Sequence, residues 1–170
     1  MRFILSAIIA FFILCSSAQA QIACPKYTEE QLERIQAAYN FGATYGYGLT
    51  LPAIVIRESF VGDRIVRYNH SDPSVGITHI QFQTLKSLSG LNQYETNNEA
   101  ARVIRSDFLA FYYAILKLES IKSKSYWYKW KRYNGDGHKA IKYAHKIKVL
   151  TIQLEFCQRL SASQGEGLKK

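Results

Sequence analysis

Glu58 is the side chain of this sequence best placed to do chemistry. It closes the stretch Ala53-Ile54-Val55-Ile56-Arg57-Glu58-Ser59-Phe60, which reads as a short apolar helix ending in one carboxylic acid. Burial disfavours the charged form of a carboxylate, so the placement is costly. Two roles account for that cost. The group is a structural charge with a partner, or it is a general acid that holds its proton near neutrality. Other chemistries are not laid out in the chain. No Cys/His/Asp grouping has metal-ligand spacing and no glycine-rich phosphate loop occurs, so neither metal nor cofactor is expected.

Two more segments carry groups that a proton-transfer site could use: Gly76-Ile77-Thr78-His79-Ile80-Gln81 and Tyr133-Asn134-Gly135. Ser59 and Ser74 are candidates to orient an acid or a substrate, with capping as the rival role. Asp63 and Asp72 lie in the loop after Glu58 and read first as turn or cap side chains. Trp127 and Trp130 could stack on sugar rings, but aromatics at helical spacing are more often core.

Taken in order, these three segments make the chain resemble the lytic transglycosylase domain of the lysozyme-like superfamily, the group that also includes goose-type lysozymes. That family has Glu-Ser at the end of a buried helix. It then has Gly-Leu-Met-Gln-Ile with a Thr four residues on, and Ala-Tyr-Asn before a glycine turn. Here the counterparts are Ile56-Arg57-Glu58-Ser59, Gly76-Ile77-Thr78-His79-Ile80 with Thr84, and Arg132-Tyr133-Asn134-Gly135. Ala140, Tyr143 and Ile147 follow in a tail similar to the family's, so the likeness runs from Leu49 to Ile147. His79 stands where the family has Gln. Gln81 would take that place only if the backbone slipped by two, and Thr84 supports the unslipped register. Met is replaced by Thr78 and Ala by Arg132.

The resemblance implies a mainly α fold with little strand: one lysozyme-like helical domain whose central buried helix carries the catalytic Glu. It implies cleavage of the β-1,4 bond of peptidoglycan between MurNAc and GlcNAc. Glu58 would act as acid and then base. Ser59, Ser74, Gly76, His79, Gln81, Tyr133 and Asn134 would bind substrate, with Tyr133 hydrogen-bonded to Glu58. A glycosidic oxygen leaves poorly unless protonated, and an apolar pocket raises the pKa of a Glu for that purpose. Ordinary glycosidases add a second carboxylate. By resemblance, transglycosylases dispense with it: the substrate's N-acetyl oxygen assists departure, and the same Glu then takes the proton of the muramoyl 6-hydroxyl. The product is a 1,6-anhydro sugar. Were Asp63 or Asp72 to face Glu58 across the cleft, a hydrolytic muramidase would become the rival. A catalytically weak wall-binding protein is a second rival, for which His79 is the motive.

The elements that must position these groups are read from pattern. Thr28-Glu29-Glu30-Gln31 is a capping box that starts a helix at Thr28, with Leu32, Ile35, Tyr39 and Gly42 on one face. That helix ends within Gly42 to Gly48. Thr50-Leu51-Pro52 restarts one, capped by Thr50 and running to Ser59. Val61 to Val75 is irregular, with a brief extended pair within Ile65 to Tyr68. Phe82 to Leu88 is a short helix closed by Gly90. Asn97 or Asn98 caps the longest helix, which runs to Ile121 with Ala101, Ile104, Phe108, Phe111, Ile115 and Leu118 inward. Ser125 to Tyr133 is aromatic and basic, and a last helix runs from His138 to Leu160.

The 170 residues suffice for one domain with a core. Met1-Arg2, the apolar run from Phe3 to Leu14 and Ser16 to Ala20 read as a secretory signal cut after Ala20. Domain bounds are therefore 1–20 signal, 21–160 domain and 161–170 flexible tail, with a periplasmic or secreted location. No second apolar run is long enough to span a bilayer. The remaining Cys24 and Cys157 suit one disulfide, with a contribution of about 3–5 kcal/mol in the chain-entropy model. Removing Arg2 leaves 21 basic against 13 acidic residues, a net charge of +8. Such a charge suits an acidic polymer, and no nucleic-acid recognition motif appears. The expected partners are peptidoglycan glycan strands and the envelope, secretion or conjugation machinery around them, met as a monomer.

Overall fold

A computed structural model describes residues 24–68 and 72–166, with side chains through residue 159. The expected signal segment and the last four residues lie outside the described residues. The protein is mainly helical. Seven helices and one small sheet occur among the described residues: α1 (Glu29–Ala43), α2 (Thr50–Ser59), β1 (Val66–Arg67), β2 (Ser74–Val75), β3 (Ile80–Gln81), α3 (Phe82–Ser89), α4 (Gln93–Arg105), α5 (Asp107–Ser120), α6 (Tyr126–Tyr133) and α7 (Gly137–Glu166).

The capping box at Thr28 forms as expected. The Gln31 N–H donates to Thr28 Oγ1 at 3.2 Å, and the Thr28 N–H donates to Gln31 Oε1 at 3.1 Å. Helix α2 is the buried centre. Every residue from Thr50 to Ile56 is buried, and α1, α5 and α7 pack around it. Thr50 does not cap it. Leu49 occupies the cap without a side-chain bond, and Thr50 Oγ1 accepts from the Trp130 indole N–H at 3.1 Å.

The sheet is antiparallel in the order β1-β2-β3, pairing Val66 with Val75 and Val75 with Ile80. Gly76 begins the β2–β3 turn with φ +75°, and a Cβ there would lie 2.7 Å from Val103 Cγ1. Only glycine fits both the backbone and the approach of α4. Gly90 ends α3 in the left-handed conformation, as expected.

The expected helix from Asn97 or Asn98 to Ile121 is two helices. Asn92 caps α4, accepting from the Glu95 N–H while Glu95 reaches back to the Asn92 N–H, both at 3.0 Å. Ser106 then turns extended (φ −138°, ψ 106°), and its Oγ caps α5 through the Leu109 N–H. The break resets the helical phase. Ala101 and Phe108, read as inward, are exposed, and the buried stripe of α5 is Ala110, Phe111, Tyr113, Ala114, Ile115 and Leu118.

Helix α7 is the longest, at 30 residues, and continues to Glu166, beyond the expected end at Leu160. Its inner residues Ala140, Tyr143, Ala144 and Ile147 are buried against the core. Cys157 is bonded to Cys24, tying the far part of α7 to the segment before α1 across 133 residues. No helix among the described residues is long and apolar enough to cross a membrane.

Candidate active site

The end of α2 aims Glu58 into a small cleft. After Ser59 the chain turns through Phe60 (φ 54°) and Val61 (φ 62°), two consecutive non-glycine residues in the left-handed region. Each such residue costs on the order of 1–3 kcal/mol, and a β-branched one is a genuine outlier. Ser59 anchors this turn: its Oγ donates to the Val55 carbonyl at 3.1 Å and accepts from the Gly62 N–H at 2.9 Å. Arg34 Nη1 donates to the Val61 carbonyl at 3.2 Å. The turn sends the chain back past Arg64, whose carbonyl reaches the site again.

His79 is also left-handed, with φ 47°. Its Nε2 lies 2.5 Å from the Arg64 carbonyl oxygen. A carbonyl only accepts, so Nε2 carries the hydrogen of this bond. The other ring nitrogen, Nδ1, faces Glu58 Oε2 at 3.4 Å, and both side chains are less than a tenth exposed. Nδ1 is buried and closes no hydrogen bond among the described residues.

Helices α5, α6 and α7 supply the other wall. Tyr133 is buried and its hydroxyl donates to the Thr78 carbonyl at 3.1 Å. The expected bond from Tyr133 to Glu58 is therefore not the one made. The Tyr133 ring stacks on Tyr143 at 6.2 Å between centroids, and Lys117 Nζ sits 4.5 Å from its centroid on α5. The buried Tyr143 hydroxyl closes no hydrogen bond of ordinary geometry among the described residues. Burial, and then the charge of Glu58, raise both tyrosines well above the usual phenol range. Desolvation pulls the Lys117 ammonium down to about 8, although the charges of Glu58 and Asp72 resist it.

These groups enclose a cavity of about 150 Å³ lined by Glu58, Arg67, Asp72, Ser74, His79, Gln81, Lys117, Tyr133 and Asn134. Six of the eight residues expected from sequence meet here; Ser59 and Gly76 do not line the cavity. Ser59 builds the turn behind Glu58, and Gly76 lets β2 approach α4. Both His79 and Gln81 reach the cleft. Trp127 packs edge-on against His145 and Trp130 bonds Thr50, both outside the cavity lining. Asp63 lies against Gln31 of α1 at 3.5 Å. Asp72 has two roles. Its Oδ1 accepts from the Gln83 N–H at 3.1 Å, as a cap should, and the residue also lines the cleft.

No protein-family model, curated protein or solved structure matches the chain. What the site can do is therefore set by its own groups.

Two lining residues, Lys117 and Arg67, carry charge that the sequence pattern did not mark. Lys117 had a signal. It lies three and four residues after the buried Ala114 and Tyr113, so it continues their stripe inward. The expected single helix, with its different phase, hid that. Arg67 gives no such signal. Of the groups that line the cleft, the Glu58 carboxyl, the His79 imidazole, the Lys117 ammonium and the Tyr133 phenol lie almost out of water, and the buried Tyr143 phenol stacks on Tyr133. That combination suits proton transfer to and from a bound polar substrate.

Proposed function

We propose that the protein is a peptidoglycan lytic transglycosylase with a lysozyme-like fold, exported by a signal at residues 1–20 and acting in the periplasm or outside the cell. The observation that carries this reading is Glu58. It sits nearly buried at the end of the central apolar helix, in one cleft with residues of the other two segments of the sequence resemblance. The disulfide supports an oxidising compartment. The basic chain suits an acidic wall polymer.

In this reading Glu58 donates its proton to the glycosidic oxygen as the bond from the muramoyl C1 breaks, while the substrate's own N-acetyl oxygen supports the carbon. Glu58, now a carboxylate, takes the proton of the 6-hydroxyl as that oxygen closes on C1. Tyr133 and Tyr143 keep their protons and so do not compete as bases. The buried Ser74 and the exposed Gln81 and Asn134, all lining the cleft, are the groups to hold sugar hydroxyls and the N-acetyl group.

One observation favours a second reading. Asp72 lines the same cleft as Glu58 and has a carboxylate oxygen beyond the one used to cap α3. A muramidase would use it to activate water. Digesting purified peptidoglycan and weighing the muropeptides separates the two. Anhydro ends, lighter by one water than reducing ends, are the expected result. Reducing ends would replace the transglycosylase with the muramidase, and no soluble products would favour a wall-binding protein.

A further inference from the structure

We propose that His79 and Glu58 share one proton between Nδ1 and Oε2, so that His79 positions and stores the proton of the acid. Three independent features put the imidazole to this use. Its backbone is held at φ 47°, a conformation that costs energy unless something requires it. Its Nε2–H is committed to the Arg64 carbonyl at 2.5 Å, which fixes the tautomer. Its Nδ1 is thereby left as a buried lone pair, 3.4 Å from Glu58 Oε2 and with no hydrogen bond to satisfy it. A buried acceptor beside a carboxyl lacks only the hydrogen that would join them.

The two placements of that proton are isomers of equal charge. On Nδ1 it makes an imidazolium and a carboxylate, the base form of Glu58. On Oε2 it makes a neutral pair, the acid form. Moving it breaks one N–H bond, forms one O–H bond and needs no other reactant. A glutamine, the residue the resemblance leads one to expect at this position, could bond the Arg64 carbonyl but could not accept the proton.

The surrounding charges bear on the balance. Lys117 of α5 and Asp72, ahead of β2, line the same cleft as the pair. Arg67 of β1 lines the same cleft. Tyr133 of α6 and Tyr143 of α7 stay protonated, and Arg57 lies 6.0 Å over the Tyr143 ring. The catalytic use of the pair rests on the transglycosylase reading. The pair itself does not.

The test is a titration followed by NMR on protein labelled at the histidine ring carbons, comparing the wild type with Glu58→Gln. Removing an opposite charge at this distance should lower the midpoint of His79 by about 1–3 pH units, with His138 and His145 unmoved as a check on folding. An unmoved His79 midpoint overturns the proposal. Activity gives the second readout. In His79→Gln the high-pH limb of the cleavage profile should fall by about one pH unit, because the shared proton is no longer retained. A lower rate with the limb in place would mean that His79 only braces Arg64, and would also overturn it. If the wild type cleaves no peptidoglycan, the transglycosylase reading fails while the NMR titration still decides the proton pair.

Discussion

The molecule holds two clusters built from the same side chains and uses them in opposite ways. At the surface edge of the core, buried Tyr47 donates to exposed Glu119, and Lys129 donates to both the Tyr47 hydroxyl and, at 3.2 Å, Glu119 Oε1. Every charged or polar group there has its partner. In the cleft, Glu58, Lys117, Tyr133 and Tyr143 are joined by His79, and the bonding is left incomplete. Among the described residues His79 Nδ1 closes no hydrogen bond, the Tyr143 hydroxyl meets Glu58 without closing one of ordinary geometry, and Lys117 has a ring for a neighbour but no direct ion pair. A satisfied network stiffens a fold. An unsatisfied one costs stability and leaves groups free to bind and react. Residue type alone does not separate the two; the count of unmet partners does.

Replacing the two lysines should give effects of opposite sign. Lys117→Met removes a desolvated ammonium and should stabilise the protein at pH 7 by on the order of 3 kcal/mol, the equivalent of a fall from 10.5 to about 8. The pH dependence carries the same sign. The unfolded chain keeps this proton through the window from about 8 to 10.5 where the folded chain has lost it. The lysine's penalty is therefore present below that window and fades as pH rises through it. Denaturant melts of wild type and Lys117→Met should converge across the window. Lys129→Met, by contrast, breaks satisfied bonds and should cost about 1 kcal/mol. If both variants were destabilised alike, the contrast between the clusters would be wrong.

The tyrosines sharpen it at smaller scale. Tyr47→Phe should lose about 1 kcal/mol and leave peptidoglycan cleavage unchanged. Tyr143→Phe removes a hydroxyl whose contact with Glu58 falls short of ordinary hydrogen-bond geometry, so its stability should stay within about 0.5 kcal/mol or rise, while cleavage falls. Smallest of all, Glu119→Gln should leave the cleavage rate within about twofold, since only an exposed, paired carboxylate is changed. A tenfold loss there would tie the surface cluster to the site.

Local chemistry made much of this fold readable in the sequence. Thr28 and Gln31 lie within one turn of each other, and Gly90 ends α3 by its own conformational freedom, so neither depends on the rest of the chain. Glu58 stood out because apolar neighbours surround it. Asn92 was legible too, since Glu95 completes a capping box with it, but the later Asn97-Asn98 pair drew the helix start. Ser106 was harder to see. Neither glycine nor proline marks the break, and Ser is as ordinary on an exposed helix face as at a cap. Missing it rotated the following helix and concealed Lys117. The direction of the His79 ring depends on a left-handed backbone and on a carbonyl fifteen residues earlier in the chain, neither of which any local pattern records.

The central claim is that Glu58 moves the proton in a cleavage made without water. Its most direct test digests purified peptidoglycan with the wild type, Glu58→Gln and Glu119→Gln and weighs the products. The account predicts anhydro-ended muropeptides from the wild type and Glu119→Gln, and a loss of about 10²–10⁴-fold in Glu58→Gln, the usual contribution of a general acid. Full activity in Glu58→Gln would contradict it.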